Sequence, residues 1–407
     1  MPGPLAHIRV LDLSRVLAGP WAAQNLADLG AEVIKVERPG SGDDTRGWGP
    51  PWLHDAEGRD TRESAYYASV NRNKKSVTLD LAKPEGQAIV KELAARCDVV
   101  VENYKVGTLA RYGLAYDDLK AVNPRIVYCS VTGFGQNGPH AQRPGYDFIF
   151  QGMGGLMSIT GERDGPPGAG PMRVGIAITD VLTGMYASLA ITAALAHRER
   201  TGEGQYIDLA LLDTIVAFNA NQIVGFLTSG RLPQRWGNAH PQVVPYEVFA
   251  TADGHIILAV GNDGQFRRFC AVAGCPELAE EARFATNSQR ILHRAELIPI
   301  VAEVMRTRTK HEWIEALEGA NVPCGPINNM QEVFEDPQVR RRGLRVDMPH
   351  PLGGVAPVVA SPMRLSATPV EYRIAPPLLG QHNGEVYREL LGKSDAELER
   401  LRAAGIV

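Results

Sequence analysis

Between residues 174 and 197 the chain reads VGIAITDVLTGMYASLAITAALAH, and Asp180 is the only charged side chain in that stretch. A carboxylate surrounded by apolar groups is costly to ionise without a partner, so its presence calls for a compensating role. Two roles fit the local pattern. Thr179 and Asp180 precede the periodic run Val181, Leu182, Met185, Leu189, which suits Asp180 as a helix N-cap. A carboxylate presented at a helix start, where the dipole favours negative charge, also suits a nucleophile or base. The two roles are compatible, and the local pattern leaves both open.

A second set of residues is cationic. Arg15 lies in SRVLAGP, Arg38 in ERPGSGD, Arg72, Lys74 and Lys75 in NRNKKS, and Arg111 shortly after ENY. Each segment falls where a strand should end. Together they gather positive charge suited to one phosphorylated ligand.

The elements that must position these groups read as alternating strands and helices. Strands are expected at 8–13, 33–36, 76–81, 98–102 and 125–131, and helices at 21–29 and 84–95, the first stopped by Gly30 and the second opened by Pro84. That alternation predicts an α/β fold, a Rossmann-like large domain whose parallel sheet is covered by helices. The first strand-to-helix turn lacks the GxGxxG spacing, which argues against NAD, while a nucleotide-like ligand still suits the carboxyl ends of the strands. Residues 197–240 read as a long helical connection. A smaller α+β domain follows, with a hairpin turning at Ala252-Asp253-Gly254 and helices near 265–273, 295–305 and 310–319. From 344 onward the chain is Pro-rich, with an amphipathic segment near 385–391. The expected division is 1–196, 197–240, 241–330 and 331–407.

Composition narrows the function. The 407 residues carry 42 Lys and Arg against 46 Asp and Glu, and a net charge of −4 gives no support for a nucleic-acid partner. Cys97, Cys129, Cys270, Cys275 and Cys324 form no CxxC pair, as expected of reduced thiols in a cytoplasmic protein. The start MPGPLAHIRV has no signal-peptide pattern. The Asp180 stretch is long enough to suggest a membrane span, but its central Asp and its Gly, Ser and Thr content argue against one. No metal is expected.

Several runs, in order, resemble the class III CoA-transferases, the family of formyl-CoA:oxalate and carnitine CoA-transferases. They include VLDLSRVLAGP, GAEVIKVERPGSGDDTRGW, NRNKKSVTLDL, DVVVENYKVGTLARYGL, GFGQNGPHAQRPGYD, GIAITDVLTGMYASLAITAAL, RERTGEGQYIDLALLD and GNDGQF. The resemblance spans nearly the whole chain. It implies that Asp180 is the nucleophile, attacking an acyl-CoA thioester to give a mixed anhydride and then an aspartyl-CoA thioester. It implies CoA contacts at Arg15, Val16, Ala18, Arg38, Lys75, Asn103, Tyr104 and Arg111, and a mobile loop at Gly261, Gly264 and Gln265. Trp48 and Tyr146 fall on positions that line the acyl pocket. The wording is similar to members that move CoA from succinyl-CoA to small dicarboxylates such as glutarate, hydroxymethylglutarate or citramalate; oxalate, carnitine or another monoacid is the alternative. A dicarboxylate's distal group needs a cationic partner, for which Arg46, Arg173 and His240 are candidates. The resemblance also implies an interlocked homodimer with the C-terminal segment wrapping the partner chain. Acyl-CoA racemases of the same superfamily pair the Asp with a His in a GHD motif. This chain has Gly145-Tyr146-Asp147 there, and a tyrosine is a poor acid–base partner at neutral pH.

Overall fold

A computed structural model of the chain describes residues 2–165 and 167–407. They divide into two compact units. The first takes the described residues up to Leu156, then Val174–Ser229 and Arg340–Val407; the second takes those of Met157–Arg173 and Gly230–Val339.

Six strands form the sheet of the first unit: β1 (Arg9–Asp12), β2 (Glu32–Glu37), β3 (Lys74–Thr78), β4 (Val99–Glu102), β5 (Val127–Thr132) and β6 (Tyr206–Ala210). The order across the sheet is β3-β2-β1-β4-β5-β6, with every neighbouring pair parallel. Strands buried on both faces read as near-continuous apolar runs, as VVVE of β4 does. The order reverses between β1 and β4, so their carboxyl ends flank the crevice where such sheets bind ligands.

Four helices matter for the site: α1 (Ala18–Asp28), α2 (Pro84–Ala94), α3 (Asp147–Met153) and α4 (Ile178–Thr201). Helix α1 starts three residues before the expected Trp21. Pro20 does not block this, because the first turn of a helix has no intrahelical use for its N–H groups. Helices α1 and α4 lie together, and at Gly184 the contact is close: a Cβ there would fall 2.5 Å from the Ala18 carbonyl oxygen and 3.0 Å from Trp21. By length and composition α4 is able to span a membrane, and in this unit Ala187, Ile191 and Ala194 are buried against neighbouring elements.

The expected helical connection over 197–240 is corrected. After α4 the chain turns at Gly202, in the left-handed region, and enters the sheet as β6 beside β5, before helices Leu211–Phe218 and Ala220–Ser229. A five-residue strand directly preceding an apolar helix merges with it in the sequence pattern, and helix and strand periods are not separable over so short a run. The first unit therefore continues to Ser229, and 157–173 belongs to the second unit. The Pro-rich tail returns to the first unit, where Val386, Tyr387, Leu398 and Leu401 join the core formed by Ile34, Val77 and Val100.

In the second unit the hairpin of Tyr246–Ala250 and His255–Ala259 pairs with Cys324–Pro326 as a three-stranded antiparallel sheet. Helices Asp263–Ala273, Arg294–Met305 and Lys310–Gly319 cover it around Phe249, Phe266 and Trp313.

Candidate active site

Asp180 is the third residue of α4, within its first turn. It is not the cap. The cap comes from 33 residues upstream: the buried Asp147 carboxylate accepts the N–H of Thr179 at 2.7 Å and, more weakly, that of Asp180 at 3.4 Å. Gln151 fixes Asp147 from the other side with an amide donated at 2.6 Å. The same Gln151 accepts from Val174 and donates to the Ile176 carbonyl, tying the loop before α4 to α3. The Asp180 carboxylate is thereby left free of capping duty. Burial first, and then the neighbouring Asp147 charge, push it from its ordinary 3.8 up to about 7. Tyr66 stands in the same field, pushed up to about 12 by burial and by the Asp180 and Asp147 carboxylates. Its hydroxyl therefore stays protonated within the field of the two carboxylates.

The turn from β1 to α1 faces this carboxylate. Val16 adopts φ +69°, a strained conformation for a β-branched residue. Buried Asp43 holds it there, accepting the Val16 N–H at 3.2 Å while also bonding Lys35 at 2.9 Å and Thr45. Burial alone would raise the Asp43 carboxyl, but the Lys35 ammonium and the Thr45 bonds hold it well below its ordinary range. Asn103, just past β4, clamps the preceding residue: its side chain accepts the Arg15 N–H at 2.8 Å and donates to the Arg15 carbonyl at 2.7 Å. The Arg15 guanidinium lies over the Tyr104 ring.

Two cavities meet along this turn. One, of about 250 Å³, is lined by Asp180, Tyr146, Arg143, Val16 and Ala18 among others. The other, of about 390 Å³, holds Arg38. Arg15, Asp44 and Tyr104 line both, so the two form one trough running from Arg38 to Asp180. An elongated ligand with an anionic end fits such a trough, its far end reaching a carboxylate.

The family model for CoA-transferase family III matches residues 5–383. The chain belongs to that family. It is 52% identical over 387 residues to a succinate–glutarate CoA-transferase of Agrobacterium fabrum, covering 95% of this chain and 96% of that protein. It is 46% identical over 404 residues to the succinyl-CoA:glutarate CoA-transferase of Homo sapiens, covering 99% and 90%. Among solved structures, a CAIB/BAIF family protein from Brucella suis matches with a TM-score of 0.84 and 45% identity, over 96% of this chain and 100% of that one. The protein is a class III CoA-transferase.

The residues expected to contact CoA separate into two groups. Arg15, Val16, Ala18, Asn103 and Tyr104 line the Asp180 cavity and Arg38 the adjoining one. Lys75 is corrected: its ammonium is held at 2.6 Å by both Glu32 and Glu385, in a crevice apart from the trough. Arg111 ends the short helix Thr108–Arg111, exposed, and lines neither cavity. Arg72 and Lys74 do not cradle a ligand either; they are buried against Asp28 at 2.6 Å and Asp12 at 3.0 Å.

Among the candidates for reading a distal carboxylate, Arg46 is corrected. It is buried, bonded to Glu37 through two nitrogens at 2.7 and 2.8 Å, to Glu63 at 2.9 Å and to the Pro377 carbonyl. Four of its five N–H donors are taken by these bonds, and both neighbouring carboxylates already neutralise its charge. His240 accepts the Gln242 N–H on Nδ1, and burial and the Arg294 charge hold its pKa below the ordinary value. Trp48 does not line the Asp180 cavity, but its ring meets Tyr66 edge-on at 5.0 Å. Tyr146 does line the cavity and is 69% exposed there. Gly261, Gly264 and Gln265 form the entry to helix Asp263–Ala273: Asn262 caps the Gln265 N–H at 2.9 Å, and the Gln265 side chain accepts the Gly261 N–H at 2.7 Å.

Sequence reasoning passed over Asp147, Tyr66 and Arg143. Asp147 opens its own short helix, so it reads locally as a first-turn acid, and its bond to residue 179 has no local trace. Arg143 sits in an exposed, polar segment that reads as solvated loop.

Proposed function

We propose that this CoA-transferase moves CoA from succinyl-CoA to glutarate through covalent intermediates on Asp180. The observation that carries the mechanism is a carboxylate relieved of capping by Asp147 and placed at the end of a trough that begins at Arg38. The acid pair rests on the printed activities of the Agrobacterium and human relatives.

The cycle needs no net proton transfer. An Asp180 oxygen attacks the succinyl thioester carbonyl, the C–S bond breaks, and CoA leaves as thiolate with a succinyl–aspartyl anhydride behind. The thiolate attacks the aspartyl carbonyl and expels succinate, leaving an aspartyl-CoA thioester. A glutarate carboxylate opens that thioester, giving a glutaryl–aspartyl anhydride and thiolate again. Thiolate attack on the glutaryl carbonyl then yields glutaryl-CoA and regenerates the carboxylate. Covalent capture conserves the thioester's free energy against hydrolysis. The positive end of α4 and the Tyr66 hydroxyl are suited to the negative charge that develops on each tetrahedral oxygen.

A homodimer accompanies this reading. Helix Ala220–Ser229 has no buried residue, with Leu227 72% exposed, and Leu189 of α4 is 65% exposed. An apolar surface of this kind is suited to a second copy of the chain, with the C-terminal segment engaged around it. Cytoplasmic placement fits cysteines that are all unpaired.

The test is intact-protein mass spectrometry with peptide mapping after addition of succinyl-CoA, with glutarate, oxalate or carnitine in parallel. The expected result is a CoA adduct on the peptide holding Asp180 and new glutaryl-CoA. Turnover retained in Asp180→Ala would overturn the nucleophile, and transfer only to oxalate or carnitine would overturn the acid pair.

A further inference from the structure

We infer that Arg143 reads the distal carboxylate of the dicarboxylate acid, an assignment that rests on the proposed acid pair and adds its specificity residue. In each half-reaction one carboxyl group reacts at Asp180 while the other stays ionised. An ionised carboxylate drawn out of water needs a charged partner, and a planar guanidinium matches it through two parallel hydrogen bonds.

The cations lining the Asp180 cavity are Arg15, Lys105 and Arg143. Their positions sort them. Arg15 also lines the Arg38 cavity, pairs with Asp44 at 3.2 Å and stacks over Tyr104, which places it on the path of the CoA phosphates. Lys105 belongs to the turn after β4 and also lines a separate cavity behind Tyr104. Arg143 lines the Asp180 cavity and neither of the other two.

Its surroundings leave the guanidinium available. It lies over the Phe134 ring at 5.2 Å and touches His140 Nδ1 at 3.4 Å, a marginal contact, and it has no carboxylate partner among the described residues. Phe134 is itself braced edge-on by Phe150 at 5.0 Å. The wall is built for close approach: a Cβ on Gly145 would fall 2.3 Å from the Phe150 ring, so only glycine lets the Arg143–Tyr146 segment pass there. The segment is anchored beside Asp180, because Asp147 bonds the backbone of Thr179 and Asp180. Four residues of chain span at most about 14 Å, which bounds the separation of Arg143 from Asp147, and Arg143 and Asp180 line the same cavity.

The test compares two acceptors that differ only in distal charge, glutarate and its monoamide glutaramate, at saturating succinyl-CoA. Wild type, Arg143→Gln and Arg143→Lys are assayed, and binding of desulfo-CoA, which lacks any acyl carboxylate, is measured by calorimetry. The expected result is that Arg143→Gln lowers kcat/KM for glutarate by about 10- to 100-fold, the scale of a charged bidentate pair, and leaves glutaramate nearly unchanged. Desulfo-CoA affinity should be unaltered, and Arg143→Lys should recover part of the preference. A Gln variant that keeps the glutarate preference overturns the assignment, as does one that loses desulfo-CoA affinity instead, which would make Arg143 a CoA ligand. Failure of the wild type itself to use glutarate would strike the acid pair, a result distinguishable from either. Arg143 is exposed, so the variants are expected to fold.

Discussion

Replacing Asp180 by Asn should stabilise the protein while removing its activity, and the stabilisation should depend on pH in a defined way. The folded carboxyl sits at about 7 against an ordinary 3.8. Between those values the folded state holds a proton that the unfolded state has released, so stability falls as pH rises from about 4 to 7 and is level above that. At about 1.4 kcal/mol for each tenfold change, the gap corresponds to about 4 kcal/mol. Asp180 is half-buried and borders a cavity open to water, so about 1–2 kcal/mol is the amount expected to be measured. Asn keeps the shape without the charge. Urea titrations at pH 5, 6, 7 and 8.5 should show the variant's advantage growing to pH 7 and then holding constant, while transferase turnover is lost throughout. In the wild type, kcat/KM should rise with an apparent pKa near 7, because the nucleophile must be ionised. A variant less stable than wild type at pH 8.5, or an advantage that does not change with pH, would refute the claim that burial and Asp147 hold this carboxyl up.

Two further perturbations probe the supports around it. Asp147→Asn keeps an acceptor for the Thr179 N–H and removes the neighbouring charge, so the acid limb of the kcat/KM profile should move to lower pH, whereas Asp147→Ala should also cost about 1–2 kcal/mol from loss of the cap; an unmoved limb in the Asn variant would exclude the coupling. Arg46→Met should destabilise the first unit by about 3–5 kcal/mol, since Glu37 and Glu63 lose their buried partner. Its glutarate-to-glutaramate ratio, measured in whatever folded fraction remains, should match wild type, and a collapsed ratio would restore Arg46 to the substrate pocket.

Much of this enzyme was legible in its sequence. The alternation of apolar runs and amphipathic segments determined a parallel α/β sheet, because strands buried on both faces and helices buried on one have different periods. The isolation of Asp180 in an apolar stretch marked it for chemistry, because an uncompensated charge is rare there. The turns after β1, β2 and β4 were legible as a candidate ligand site, because an open α/β sheet presents those turns at its carboxyl edge. What only the tertiary structure decided is which polar groups are free. A cation's partner lies anywhere in the chain, and composition weighs all arginines alike: Arg46 and Lys75 are bound to carboxylates, while Arg143, in a stretch that reads as solvated loop, lines the Asp180 cavity. The capping of α4 was hidden for the same reason. Locally Asp180 has the right type and place to cap its helix, and only the fold brings Asp147 across 33 residues to take that duty, leaving Asp180 unneeded for structure and available for reaction.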